Sequence, residues 1–350
     1  MANDKAGFTA EPIGPAVAAE KEKAVRAADF TTKAPLASSL FDGALKLMLA
    51  RARKEAKAVQ MPWPNVAEAL GGGLWPGLHV LTGTTGSGKT QFALQVAFTA
   101  ACARVPTLYI GLELGPLDLT ARLLALAEGE ATGRAPPKWS AMYLGQEDSG
   151  ALERMGKEHG PTLADLPFHA EFGPPGGWGA DQLHERVRAM RETYPEQTPG
   201  GRPLLVVLDY LQAVGESADK KLELRERIGQ AAYAGRTVAR DHGAAVLMLS
   251  SVSRDNAKRL RVGDEKNNNT NPQTDNPADL VGLGKESGEI EYAADTVLAL
   301  VSGEYEERKP TKMHLAIAKM RAGRAAWCDL EFDGSTFSAT TDESFIVGRK

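Results

Sequence analysis

LHVLTGTTGSGKTQFALQVA, residues 78–97, decides how this chain is read. A short apolar run leads into the octet Gly83-Thr84-Thr85-Gly86-Ser87-Gly88-Lys89-Thr90, and a run with helical periodicity, QFALQVAFTA, leaves it. The octet fits the spacing G-x-x-x-x-G-K-[ST] at every fixed position, and the strand before it and the helix after it are the context that motif requires. Glycines let successive backbone N–H groups turn inward around an oxyanion, and the N-terminus of the following helix adds its partial positive charge. Lys89 then reaches the terminal phosphates, and Thr90 offers its hydroxyl to Mg²⁺. The expected ligand is a nucleoside triphosphate, ATP with Mg²⁺, held by residues 83–90 together with Gln91. A bare glycine-rich turn is the competing reading in a chain with 36 glycines, and the flanking strand and helix argue against it.

Hydrolysis needs more than a cradle. In RPLLVVLDYLQAVG, Asp209 ends an apolar strand, where a carboxylate can hold Mg²⁺ through water beside the phosphate loop. Taken alone, an Asp after such a strand is equally a helix cap or a turn residue. Glu113, in TLYIGLELGP, ends the strand after the phosphate-loop helix, a position from which it can orient and deprotonate an attacking water; a solvated loop glutamate is the alternative.

The 350 residues are 43% hydrophobic and 25% charged, an ordinary globular composition for one main domain with an appendage. A net charge of −4 gives no global basic field, so any nucleic-acid contact must come from local clusters. Two distant cysteines and six histidines without ligand spacing point to a reducing, zinc-free, cytoplasmic setting. No stretch approaches the roughly 18 consecutive apolar residues of a membrane helix, and the N-terminus lacks signal-peptide layout. Residues 1–60 read as a mobile arm followed by an amphipathic helix over 38–57, with Phe41, Leu45, Met48, Leu49 and Ala52 on one face and Ser39 as its cap. Residues 61–340 alternate short apolar runs with helical patterns, and 341–350 form a tail. Strands are expected at 78–82, 107–111, 167–171, 204–208, 245–250, 295–301 and 313–318. That rhythm implies an α/β fold with a mostly parallel, twisted sheet covered on both faces. The polar segment 253–285, with NNNTNPQTDNP, is too long for a turn and reads as a functional or disordered loop.

With the octet, Asp209 and Glu113 in this order, the chain resembles the RecA-like P-loop ATPase core of the DnaB family of hexameric replicative helicases, from about residue 60 to 334. GGLWPGLHVLTGTTGSGKTQFALQ, LYIGLELGPLDLTARLLA, LPFHAEFGPPGGWGADQLHERVRAM, LLVVLDYLQ and LMLSSVSRDN are similar to successive segments of that core. KESGEIEYAADTVLAL, followed by HLAIAKMRAGRAAWCDLEFDG, is the most specific match. The resemblance implies phosphate and metal binding by Gly83, Gly86, Gly88, Lys89 and Thr90, Mg²⁺ held through water by Asp209, and Glu113 as general base. Lys319 and Arg321 match the family's basic finger, which completes the neighbouring subunit's site and makes turnover depend on assembly. Two departures stand out: Ser251 replaces the family's usual sensor glutamine, and the family's helical N-terminal collar is expected to be missing. The 38–57 helix fits either a linker docking on the next protomer or a helix packed on its own core.

The resemblance also implies a homo-oligomeric, hexameric ring gripping single-stranded DNA with loops at 213–224 and 252–285. Lys220, Lys221, Arg254, Lys258, Arg259 and Arg261 are the cations there, although neither loop carries an aromatic residue for base stacking and a short basic run is also a common solvated face. Two functions remain open on sequence alone: an ATP-driven translocase or helicase, and a nucleotide-gated regulatory or recombinase-like ATPase that does not unwind.

Overall fold

A computed structural model describes residues 37–173, 179–196, 201–211, 223–252, 276–282, 288–303 and 310–340. The chain divides into two units, Met1–Glu55 and Ala56–Lys350. In the first, helix α1 (Ala37–Ala52) carries Phe41, Leu45, Met48 and Leu49 as an exposed apolar row. Ser39 lies inside α1 and not at its cap, because Ala37 is already helical; alanine is the best helix former and extends the helix past the serine. The helix also stops short of Lys57: Lys54 takes φ +60°, and the amides of Arg53 and Glu55 close back onto the carbonyls of Leu49 and Ala50.

The second unit is built on a nine-stranded sheet. Strands β1 (Gly77–Gly83), β2 (Thr107–Gly111), β3 (Phe168–Phe172), β4 (Leu204–Asp209), β5 (Ala244–Ser251) and β6 (Thr296–Ser302) pair in parallel in the order β3-β2-β4-β5-β1-β6. Strands β7 (Thr311–Met320), β8 (Ala326–Phe332) and β9 (Phe337–Ala339) continue beyond β6 in antiparallel pairing. The parallel half forms because its central strands are apolar on both faces. In β4, Leu204, Val206 and Leu208 enter one core while Leu205 and Val207 enter the other, and β5 alternates in the same way. All seven expected strands are present; β8 and β9 were not anticipated.

Helices α2 (Pro64–Ala69), α3 (Lys89–Cys102) and α4 (Pro116–Thr132) contribute to the first core, and α7 (Ala180–Thr193), α8 (Leu224–His242) and α9 (Gly288–Ala293) to the second. Outside the first core, α5 (Trp139–Tyr143) and α6 (Ser149–Asp165) pack on α4 through Met142 and Met155. Helix ends follow local chemistry. Pro116 opens α4, Gly133 closes it in the left-handed region, and the Glu226 carboxylate accepts the Glu223 amide at the start of α8. Among the described residues no helix is long and apolar enough to cross a membrane.

An aromatic block joins the two ends of this unit. Trp63 stacks on Phe92 at 4.4 Å, Phe337 meets both rings edge-on, and Phe332 stacks on Phe337 at 4.4 Å. The Phe337 carbonyl accepts from Trp63 Nε1 at 2.9 Å and Gln95 Nε2 at 2.8 Å, while its amide donates to Gln95 Oε1 at 2.9 Å. The last strand is thereby fixed to α3, the helix that follows the octet. Trp63 is 2% exposed, so Trp63→Ala removes a fully packed ring and a buried hydrogen bond. We expect a loss of about 3–5 kcal/mol, read as a lower midpoint in urea unfolding; a loss below about 1 kcal/mol would show that the block is dispensable.

Candidate active site

Strand β1 ends at Gly83 and α3 begins at Lys89, so the octet is the turn between a central strand and a buried helix. Gly86 and Gly88 take φ of +81° and +86°. At Gly88 a side chain is excluded twice, by backbone conformation and by the Phe337 ring, 2.8 Å from where a Cβ would stand. Lys89 Nζ folds back over the loop and donates to the Gly83 carbonyl at 3.0 Å and the Thr84 carbonyl at 2.8 Å. Burial pushes its ammonium down to about 8, against the opposing pull of Asp209 and Glu113. Ser87 Oγ is buried without a hydrogen-bond partner among the described residues.

Asp209 closes β4 at 1% exposure. Its Oδ2 accepts the Tyr109 hydroxyl at 2.7 Å. Burial raises its carboxyl above the usual range, and hydrogen bonds from Tyr109 and Thr90 pull it back. Tyr109 is itself raised well above its ordinary value, first by burial and then by the neighbouring carboxylate. Glu113 follows β2 on the exposed lip of the same cleft, and the Leu112 amide donates to the Asp209 carbonyl at 2.7 Å, tying the two strand exits together. The cleft, about 590 Å³, lies at the carboxyl ends of β1, β2 and β4, where the chain leaves β1 for β2 on the far side of β5 and β4. Ser251 at the end of β5 also lines it.

The structure thus brings together the residues of the octet, Thr90, Asp209 and Glu113. Gln91 is 2% exposed, and its side-chain oxygen accepts Arg122 Nη1 at 2.8 Å. Lys319 and Arg321 are not near the cleft. β7 runs antiparallel to β6, and β6 parallel to β1, so the end of β7 lies beside the start of β1. From there to Gly83 is six residue steps, roughly 20 Å at about 3.3 Å per step. A register shift between Val297 and Leu298 places a bulge opposite them, just before Lys319, the kind of irregularity that re-aims a side chain. Lys220, Lys221, Arg254, Lys258, Arg259 and Arg261 lie outside the described residues.

Sequence reasoning missed Tyr109, buried behind Asp209, and several residues of the cleft wall. Tyr109 sits inside an apolar strand and reads there as core. Arg122 reads as a solvated helix residue, yet it pairs with Asp118 at 2.8 Å and lies 3.5 Å from the centre of the Trp139 ring. Trp139 Nε1 reaches the Gly334 carbonyl at 3.3 Å, and Phe332 stands on the same rim. The Arg122–Asp118 pair is a local i,i+4 contact, but the contacts with Trp139 and Gly334 join segments up to 195 residues apart, and no local signal announces them.

The family profile described as "DnaB-like helicase C terminal domain" matches residues 65–339. The chain belongs to that family. Among DnaB-like relatives, it is 27% identical over 265 residues to a protein of Trieres chinensis named "Probable replicative DNA helicase", covering 74% of this chain and 51% of that one. It is 26% identical over 250 residues to "Replicative DNA helicase DnaC" of Bacillus subtilis (strain 168), covering 70% and 48%. The chain therefore spans about half the length of these relatives. Two solved structures share the fold at a TM-score of 0.65 over 85% of this chain. One is described as "The Structure Of A DnaB-Like Replicative Helicase And Its Interactions With Primase", at 18% identity and 66% of its chain; the other is described as an ATPase domain, at 19% identity and 98% of its chain. The family and the RecA-like architecture agree with the sequence expectation.

Tyr109→Phe leaves the buried Asp209 carboxylate without its phenol donor. The expected cost is about 1–3 kcal/mol in denaturant unfolding at neutral pH. Because the raised Asp209 carboxyl is charged only above its folded pKa, the deficit should shrink as pH falls through that value. A deficit that does not change with pH would show that the phenol does not serve the charged carboxylate.

Proposed function

We propose that this chain hydrolyses ATP in the cleft at the ends of β1, β2 and β4, and that copies of it form a ring that couples hydrolysis to movement along single-stranded DNA. The observation that carries the reading is the meeting of Thr90 and Asp209 with an exposed carboxylate, Glu113, at one cleft, while a basic pair on the same chain stands at the sheet's opposite end.

In this reading the triphosphate takes the Lys89 ammonium away from the Gly83 and Thr84 carbonyls and lies against backbone amides of the octet at the start of α3. Glu113 accepts a proton as water oxygen bonds to the terminal phosphorus and the bond to the bridging oxygen breaks, leaving ADP and phosphate. The Thr90 hydroxyl and the Asp209 carboxylate are hard oxygen donors suited to Mg²⁺, and a carboxylate whose pKa burial has raised gains most from an adjacent cation. Held by these residues, Mg²⁺ would neutralise charge on the triphosphate. Tyr109 holds Asp209 in place, and Gln91 with Arg122 braces the helix behind the octet. Lys319 and Arg321 serve the site of an adjacent copy, since about 20 Å of sheet separates them from their own. Residues 1–60 act as arm and linker helix, 61–340 as the ATPase domain, and 341–350 as a tail. Lys220, Lys221, Arg254, Lys258, Arg259 and Arg261 grip the DNA backbone, and the setting is cytoplasmic.

Ser251 favours a second reading. A serine at the end of β5 lines the cleft but is too short to span the distance of a glutamine, which weakens any link between the γ-phosphate and the DNA loops. A nucleotide-gated switch would tolerate that loss.

Turnover measured against single-stranded DNA at low and moderate salt, with particle mass recorded in the same samples, separates the two. Stimulation that weakens with salt, in a ring-sized particle, is expected for the motor; a rate indifferent to DNA at low salt would favour the switch. Glu113→Gln should retain ATP binding while turnover falls by at least about a hundredfold, because only the proton acceptor is lost. Equal loss of binding would make Glu113 a structural residue.

A further inference from the structure

Asp295 joins three segments of the unit. It stands just before β6, and its amide donates to the Leu78 carbonyl at 2.8 Å while its carbonyl accepts the Arg321 amide at 2.9 Å. The side chain repeats the pattern: Oδ2 accepts the Leu78 amide at 2.9 Å, and Oδ1 lies 3.1 Å from Arg321 Nε. The carboxylate is set close against the backbone, because a Cβ on Gly77 would stand 2.9 Å from Oδ2. One aspartate therefore fixes both the first residues of β1 and the guanidinium at the end of β7.

The geometry points to Asp295 as the positioning residue for Arg321, holding its guanidinium in the orientation in which an adjacent copy's nucleotide receives it. This rests on the proposal that Arg321 acts in a neighbouring site. A guanidinium carries five N–H donors, and an approach through Nε leaves donors on the two terminal nitrogens for phosphate oxygens. Arg321 is 45% exposed at its side chain and sits on a turn, so without an anchor its rotamers would have to be ordered afresh at each encounter. An anchor that already fixes the backbone of the same residue removes most of that cost before the encounter. The contact adds little to stability at this exposure; its effect is on orientation.

Asp295→Asn separates the two duties of the carboxylate. An asparagine keeps a carbonyl oxygen for the Leu78 amide and loses the negative charge that holds Arg321. Turnover of the full chain, nucleotide affinity read with a fluorescent ATP analogue, and the urea midpoint would be measured for wild type, Asp295→Asn, Arg321→Ala and the double variant. Arg321→Ala is expected to lower kcat by about a thousandfold. Asp295→Asn alone should lower kcat by about tenfold with affinity and midpoint unchanged, and should add nothing to Arg321→Ala. A similar fall in both backgrounds, or a fall that follows the urea midpoint, would mean that Asp295 acts only by pinning β1 and would overturn the inference. No fall in Asp295→Asn while Arg321→Ala is crippled would also overturn it and leave Arg321 its role. If Arg321→Ala turns over like wild type, the role in a neighbouring site fails, and the inference fails with it.

Discussion

Strand β1 is hydrogen-bonded along both edges, to β5 on one side and β6 on the other, and the proposed chemistry hangs from its two ends. Its carboxyl end becomes the glycine-rich turn; its amino end is held by Asp295, which also holds Arg321. A strand paired on both sides and buried on both faces cannot shift by one residue without turning its apolar set the wrong way, so the span between the two ends is fixed. The separation between the candidate hydrolytic groups and the basic pair is thus a property of the sheet and does not depend on loop conformation.

Around the carboxyl end, burial sets the electrostatics. Asp209, Lys89 and Tyr109 all favour their neutral forms relative to exposed groups, and each finds a partner within reach. The lysine is satisfied by two carbonyls of its own loop and the carboxylate by a phenol from β2, two strands earlier in sequence. Such an arrangement keeps two charges at a cost that a dense anion paired with a divalent cation would offset.

Much of this was legible in the sequence because its signals are local. The octet, the apolar run ending in Asp209 and the Glu113 segment each declare a strand exit, and the central parallel strands read as continuous apolar runs. β8 was not legible, since AWCDLEF mixes buried Trp327, Cys328 and Leu330 with Asp329 and Glu331 in a hairpin that is covered only in part. β9 is three residues long and owes its place to Gln95 and Trp63, which no window around Phe337 contains. The walls of the cleft escaped for the same reason. Arg122, Trp139 and Gly334 are ordinary where they stand in the chain and meet only after folding. Ser39 shows the reverse error, a good capping residue overruled by an alanine two positions earlier that was already helical.

The closure of Phe337 over Gly88 also bears on how the molecule is made. The groups that fix the start of α3 come from residues near 63 and near 337, and Trp63 bonds across 274 residues of sequence. During synthesis the glycine-rich turn emerges well before β9, and its neighbouring helix is held only once that strand has followed. A nascent chain that ends before β9 would present the motif without its support, and the slowest event in folding is expected to be the arrival of the final hairpin strand on a sheet already formed.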